Sequence, residues 1–304
     1  MPVFSQTVGE GLPADLRLDR YAAEYLKILS RSQIKSRKLK VMLEGKELKL
    51  SLPMKKIKAG GTLEFSWLDP LPTDLLPEDI PLEILYEDDR VIVINKEAGM
   101  VVHPGAGNPR GTLANALLFR RNITVRDQRP GIVHRLDKDT SGVIIAAWDD
   151  EALAFLADQF KNRRVKKHYA AIVRGVPKEK SGVMENFICR DSRDRKRFTV
   201  SAFPNRGKHA VTLYKVIRSY GSHSLVLLRP KTGRTHQLRV HLRHLGHPIL
   251  GDPIYGVKDP LFPHAALMLH AKSLSILLPG KTEKSIFKTP LPSRFYSVIT
   301  ELMP

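Results

Sequence analysis

The chain has 304 residues and 42% hydrophobic side chains, enough for one large domain and a small one with buried cores. Lys and Arg number 50 against 31 Asp and Glu, a formal net charge of +19, so the expected partner is a polyanion, nucleic acid before an anionic membrane surface. A single cysteine, Cys189, excludes an internal disulfide framework and a Cys-based zinc site; no apolar stretch is long enough to span a bilayer, and Met1–Asp15 has no signal-peptide pattern, so a reducing cytoplasm is the expected compartment.

Leu18, Tyr21, Ala22, Tyr25, Leu26 and Leu29 recur at steps of three and four and predict one apolar helix face. Ser30 or Ser32 can cap a second helix, which carries Arg31, Lys35 and Lys38 on one side. Val41, Leu43, Leu48 and Leu50 alternate around Gly45 and predict a hairpin. Two helices and a small sheet with one basic face suit an RNA backbone, although a solvated basic face has the same pattern. Pro70, Pro72, Pro77 and Pro81 then interrupt regular structure and predict a linker over 71–81, between a domain at 1–70 and another at 82–304.

In the second domain, strands are expected at Val91–Ile94, Gly142–Ala147, Tyr169–Val173, Ala210–Ile217, Ser224–Leu228 and Leu274–Leu278. Helices are expected at Thr112–Arg121 and around Leu153, Leu156, Ala157 and Phe160. Strands outnumber helices without regular alternation. The fold class is α+β, on a mixed, largely antiparallel sheet flanked by helices and loops.

Three polar clusters could carry chemistry. His134-Arg135-Leu136-Asp137-Lys138-Asp139-Thr140-Ser141-Gly142 precedes an apolar strand, a position from which a loop can present a carboxylate at a cleft or simply hydrogen-bond to itself. Thr232 and Gly233 can open a helix with Arg234 in its first turn, pointing away from solvent-facing Arg239 and Arg243. The histidines of that segment lack a partner carboxylate or thiolate at ligand spacing, so no metal is expected. Lys166-Lys167-His168-Tyr169 heads a strand; its tyrosine could stack on a base, position a proton or pack in the core. Asp137-Lys138-Asp139-Thr140 also fits the outline of aspartate-nucleophile phosphatases. His134 and Arg135 interrupt the apolar strand such a site needs, and only Asp149 and Asp150 lie near as metal ligands. The glycines of 105–111 are not followed by Gly-Lys-Ser/Thr and read as a turn.

Gly131-Ile132-Val133-His134-Arg135-Leu136-Asp137-Lys138-Asp139-Thr140-Ser141-Gly142 closely resembles the signature of the RluA-type pseudouridine synthases. Glu87 to Gly99 with His103-Pro104-Gly105 resembles the opening strand and loop of that family; Lys167 to Gly175 resembles its tyrosine motif. Thr232 to His241 with Gly246 to Asp252 resembles its arginine motif. Arg17 to the Gly45 hairpin resembles an S4 RNA-binding module, and the whole is most similar to the RluD-like branch. Glu97 departs from a usual proline and Glu44 from a frequent asparagine.

The resemblance implies an isomerase converting uridine to pseudouridine in structured RNA, with large-subunit ribosomal RNA the expected substrate; the alternative is a non-catalytic RNA-binding or ribosome-assembly factor. It implies Asp137, Tyr169 and Arg234 as catalytic residues, with Arg234 the cationic partner of Asp137. Arg135, Leu238 and His134 are the implied substrate-binding residues, Arg135 filling the gap left by a flipped base. Arg31, Lys35, Lys38, Arg164 and Lys167 are candidate RNA contacts. Isomerisation needs neither redox change nor net hydrolysis, so no cofactor or metal is implied, and no membrane or obligate protein partner.

Overall fold

The computed structural model describes residues 2–13, 15–29, 33–34, 37–68, 75–105, 107–121, 130–194, 197–201 and 203–303. The chain divides into two compact units, Met1–Asp74 and Leu75–Pro304.

The first unit holds a four-stranded sheet of β1 (Val3–Thr7), β2 (Lys40–Leu43), β3 (Lys46–Leu48) and β4 (Thr62–Ser66), in the order β1-β4-β2-β3. The β2–β3 hairpin pairs Val41 with Leu48, and both turn residues, Glu44 and Gly45, have positive φ. That is the two-residue turn whose twist matches the strands. Leu18, Ala22, Val41, Leu63 and Phe65 form the centre of the core. The expected apolar face is kept at Leu18, Tyr21, Ala22, Leu26 and Leu29, all in or against this core, but not as one regular helix. After one turn at Leu18–Arg20 the backbone widens over Tyr21–Tyr25, where Leu26 N–H donates to the Tyr21 carbonyl five residues back. The wider turn rotates Tyr25 off that face, and it is exposed. Lys38 is exposed; Ser30, Arg31, Ser32 and Lys35 lie outside the described residues.

The expected linker extends too far. From Leu75 onward the chain is docked on the second unit: Asn115 Nδ2 donates to the Leu76 carbonyl at 2.8 Å, and Glu78 accepts from Gly111 N at 3.0 Å. Prolines stop helices and strands here without freeing the segment, because its backbone finds partners on the Thr112-capped helix.

The second unit is a ten-stranded sheet. Its strands are β5 (Ile84–Glu87), β6 (Val91–Lys96), β7 (Ser141–Ala147), β8 (Lys166–Arg174), β9 (Ser181–Arg190), β10 (Phe198–Ser201), β11 (Lys208–Ser219), β12 (His223–Pro230), β13 (Leu269–Leu277) and β14 (Lys284–Lys288). The order is β10-β9-β11-β12-β8-β13-β7-β6-β5, with β14 also on β13, and among the described strands only the β13–β7 pairing is parallel. This is the mixed, largely antiparallel sheet the sequence predicts. All the expected strands are present; β5, β9, β10, β14 and the helix Ser293–Leu302 are additions that the sequence pattern does not predict.

Side chains of β6 and β7 alternate between two covered faces. Val91, Val93, Val143 and Ile145 pack on Leu156 of the helix Asp150–Lys161. Ile92, Ile94, Ile144 and Ala146 pack on the opposite face with Leu117 of the helix Leu113–Arg120, Leu242 of Gln237–His244 and Phe295 of Ser293–Leu302. Both faces of these strands are covered, and each buried aliphatic side chain contributes roughly 1.5–3 kcal/mol. Among the described residues, no helix is long and apolar enough to cross a membrane.

Candidate active site

Asp137 lies on the loop entering β7. Two glycines clamp the ends of that loop. Gly131 has φ +56°, and a Cβ there would sit 1.7 Å from the Ala147 carbonyl oxygen; Gly142 has φ +115°, and its Cβ would sit 2.2 Å from the Ala271 oxygen. No side chain fits at either place. Between them Leu136 is buried in the core, and Thr140 N donates to the Asp137 carbonyl at 3.1 Å.

Beneath the loop, the buried Lys96 ammonium donates to the carbonyls of Glu97 (2.6 Å), Met100 (2.9 Å) and Lys138 (3.1 Å). Burial lowers its pKa to about 8, with the nearby charges of Asp139 and Asp137 opposing the fall. One cation thus ties the end of β6 to the residue after Asp137. Sequence reasoning missed this role. The signal was a lysine ending an otherwise apolar strand.

The arginine facing Asp137 is Arg239, not Arg234. Arg239 Nη1 donates to Asp137 Oδ2 at 3.2 Å. Its Nε and Nη2 grip Asp252 at 2.8 and 2.7 Å, and Tyr255 lies under the guanidinium, 5.1 Å from ring centre to Cζ. Asp252 is buried and also accepts from Ile254 N and Tyr255 N, both at 2.9 Å. The two carboxylates raise the Arg239 pKa against the opposing effect of burial. The sequence places Arg239 toward solvent; in the structure it is 4% exposed.

The difference arises because the helix starts late. Gln237 is buried: its carbonyl accepts from Thr232 Oγ1 (2.8 Å) and Arg234 N (3.0 Å), and its amide donates to the Val211 carbonyl (3.0 Å) and Thr212 Oγ1 (2.9 Å). These bonds hold 232–236 as a loop against β11, with His236 in the left-handed region at φ 54°, and the helix begins at Gln237. Arg239 therefore occupies the first turn. Arg234 is turned aside, its Nε donating to the His209 carbonyl at 2.9 Å.

A cavity of about 470 Å³ opens at this point. Asp137, Arg239, Tyr169, Leu238, Leu136 and Leu269 line it, together with Arg135, His134, Lys167 and Arg234. Tyr169 is 9% exposed; burial first, and the Asp137 charge second, push its phenol well above the ordinary tyrosine value. Arg135 is exposed at the rim. His134 has a structural duty: Nε2 accepts from Ile145 N at 3.2 Å, and the ring stacks on Phe160 at 4.5 Å. Burial, with Lys167 nearby, lowers its pKa to about 3, so it is neutral. Lys167 lies over Phe160 at 5.9 Å. Arg164 is exposed, does not line this cavity and is ion-paired with Asp158.

The remaining sequence alternatives find no support in the geometry. Asp149 caps the helix Asp150–Lys161 through Ala152 N at 2.8 Å and pairs with Arg90 at 2.6 Å, far from the role of a phosphatase metal ligand. His236, His241 and His247 have separate partners in Tyr255, Asn186 and the Arg174 carbonyl. No metal-binding group of three His, Cys, Asp or Glu occurs among the described residues.

Residues 90–244 match the RNA pseudouridylate synthase family. Ribosomal large subunit pseudouridine synthase D of Borreliella burgdorferi is 44% identical over 288 residues, which cover 92% of this chain and 87% of that protein. Its namesake from Xylella fastidiosa is 41% identical, covering 97% and 91%. The solved structure of human RNA Pseudouridylate Synthase Domain Containing 4 superposes with a TM-score of 0.60 at 30% identity, over 73% of this chain and 94% of that one. The family match over residues 90–244 and the agreement with relatives that runs nearly end to end in sequence make this chain a member of the RNA pseudouridylate synthase family.

Proposed function

We propose that the protein isomerises specific uridines of large-subunit ribosomal RNA to pseudouridine, with Asp137 as the catalytic carboxylate. The observation that carries this reading is the Asp137–Arg239 contact of 3.2 Å at a cavity walled by Tyr169, Leu136, Leu238 and Leu269. Apolar walls accept the faces of a uracil, while one carboxylate and one guanidinium supply the charge for the reaction.

The isomerisation breaks C1'–N1, turns the uracil and joins C5 to C1'; N1 gains a proton and C5 loses one, so atoms and electrons balance without a co-reactant. Asp137 serves either as nucleophile or as the base that assists a glycal intermediate. Arg239 holds the carboxylate in place and counters its charge in a part-buried site. Tyr169 contacts the base as a neutral phenol, because burial and Asp137 both oppose its ionisation. Removal of the C5 proton then falls to the carboxylate or to water.

The target base must leave its stack, at a cost of a few kcal/mol. Arg135 at the rim is suited to fill the vacated space, and the net charge of +19 favours the phosphates that surround the site. The unit 1–74 serves as an S4-type RNA-binding module with the exposed Lys38 among its contacts. With a ribosomal RNA substrate, the compartment is the cytoplasm.

The test is tritium release from C5-labelled uridine in ribosomal RNA, run with excess EDTA. Release by the native protein that is lost in Asp137→Asn is expected. RNA binding without release by the native protein would instead identify an assembly factor.

A further inference from the structure

A second cavity of about 360 Å³ adjoins the first, and Gly233, Arg234 and Thr235 line both. Arg190 of β9, Phe198 of β10, Arg206 and Lys208 complete its polar and aromatic lining. We propose that this cavity is a subsite for a nucleotide next to the target uridine, its phosphate held by the four cations and its base stacked at the Arg190–Phe198 pair. The assignment rests on the reading of the first cavity as the uracil pocket.

Charge is the first argument. Arg190, Arg206, Lys208 and Arg234 line one cavity, with no carboxylate among its described lining residues. Gathering like charges is unfavourable unless an anion completes the set, and phosphate matches the forked geometry of three guanidinium groups. Arg234 Nε is fixed on the His209 carbonyl at 2.9 Å, which pins its guanidinium where the two cavities meet.

Shape is the second. The Arg190 guanidinium lies over the Phe198 ring at 5.3 Å, and the ring is braced edge-on by His236 at 5.6 Å. Unpaired bases stack on aromatic and guanidinium planes of this kind. Connectivity is the third. A uridine inside an RNA strand brings its neighbours one backbone step away, and a wall of three residues separates the two cavities. A free nucleoside would need no such neighbouring site. This also gives Arg234 a duty the catalytic pair does not: it holds the strand on which the reacting base is carried.

Cys189, the single cysteine of the chain, lines this cavity and reports its occupancy. Substrate RNA is expected to slow alkylation of Cys189 by iodoacetamide at least tenfold, at RNA concentrations that saturate pseudouridine formation. The same molar phosphate supplied as inorganic phosphate is expected to leave the rate unchanged. Arg206 and Lys208 are exposed, so the double variant R206A/K208A should fold normally. It is expected to raise KM about tenfold with a smaller change in kcat, and to flatten the salt dependence of RNA binding by roughly 1.4–2 log units per decade. Alkylation unaffected by RNA, equal protection by inorganic phosphate, or a variant with native KM and salt slope would each overturn the subsite. Absence of pseudouridine from the native protein would instead overturn the reading of the first cavity, so the two failures are distinguishable.

Discussion

Replacing Arg239 by methionine removes two interactions with different consequences. Toward Asp252, the loss leaves a carboxylate with 0% side-chain exposure short of two bonds at 2.7–2.8 Å. A buried charge stranded in this way destabilises by about 3–5 kcal/mol, reduced here to the lower half of that range because Ile254 N and Tyr255 N still serve Asp252. Toward Asp137, the loss removes one charge-assisted hydrogen bond at 3.2 Å, about 1.5–3 kcal/mol, or roughly 10- to 150-fold in rate. The double variant R239M/D252N separates the two. The amide that replaces the Asp252 carboxylate can still accept from both backbone N–H groups through its carbonyl. No buried charge is then left alone, and most of the stability returns while the rate does not. Urea unfolding measures the first effect and single-turnover tritium release with saturating RNA the second. R234M is the control: a side chain bonded to the His209 carbonyl should alter KM more than the single-turnover rate. Native activity in R239M/D252N, or a larger rate loss in R234M than in R239M, would refute the pairing.

Three further outcomes follow from the geometry. Gly142→Ala forces a Cβ to within 2.2 Å of the Ala271 oxygen at φ +115°, and should destabilise by more than about 2 kcal/mol, whereas Gly9→Ala, with nothing within 4 Å, should stay within about 0.5 kcal/mol; thermal unfolding compares them. His241 and His270 are buried with pKa values lowered by burial to about 4, from 6.5. Between these values the unfolded chain binds protons that the folded chain does not, so stability falls as pH falls, by about 2 kcal/mol per histidine at pH 5; urea midpoints at pH 7 and pH 5 test this, and H270Q should shrink the difference. Removing residues 1–74 should weaken RNA binding and lower its salt slope by about one for each phosphate no longer engaged, and unchanged binding isotherms would remove the role given to that unit.

Much of the fold is readable from local pattern. Val91–Ile94 and Gly142–Ala147 are apolar on every residue because both faces of their strands are covered, and continuous apolar runs survive any register. The β2–β3 hairpin is encoded by alternation around Glu44-Gly45. What escaped were elements whose pattern is weak: β10 lies at a sheet edge and β9 beside it with few buried positions, and β14 has no buried position. At Tyr21–Tyr25 one wide turn puts Tyr25 alone off the expected face, while Leu26 and Leu29 still pack on the core.

The site divides along the same line. Sequence alone determined that a carboxylate at Asp137 heads a buried strand, that Tyr169 begins another, and that a large positive charge seeks RNA, since each is a property of a segment or of the whole composition. Tertiary structure alone decided which arginine meets that carboxylate. Asp137 and Arg239 are 102 positions apart, and the helix carrying Arg239 starts only at Gln237, whose side chain bonds to β11. Local propensity allows a start at Thr232 as readily as at Gln237. The hydrogen bonds to a distant strand make the choice, and with it turn Arg234 toward the His209 carbonyl and Arg239 toward Asp137.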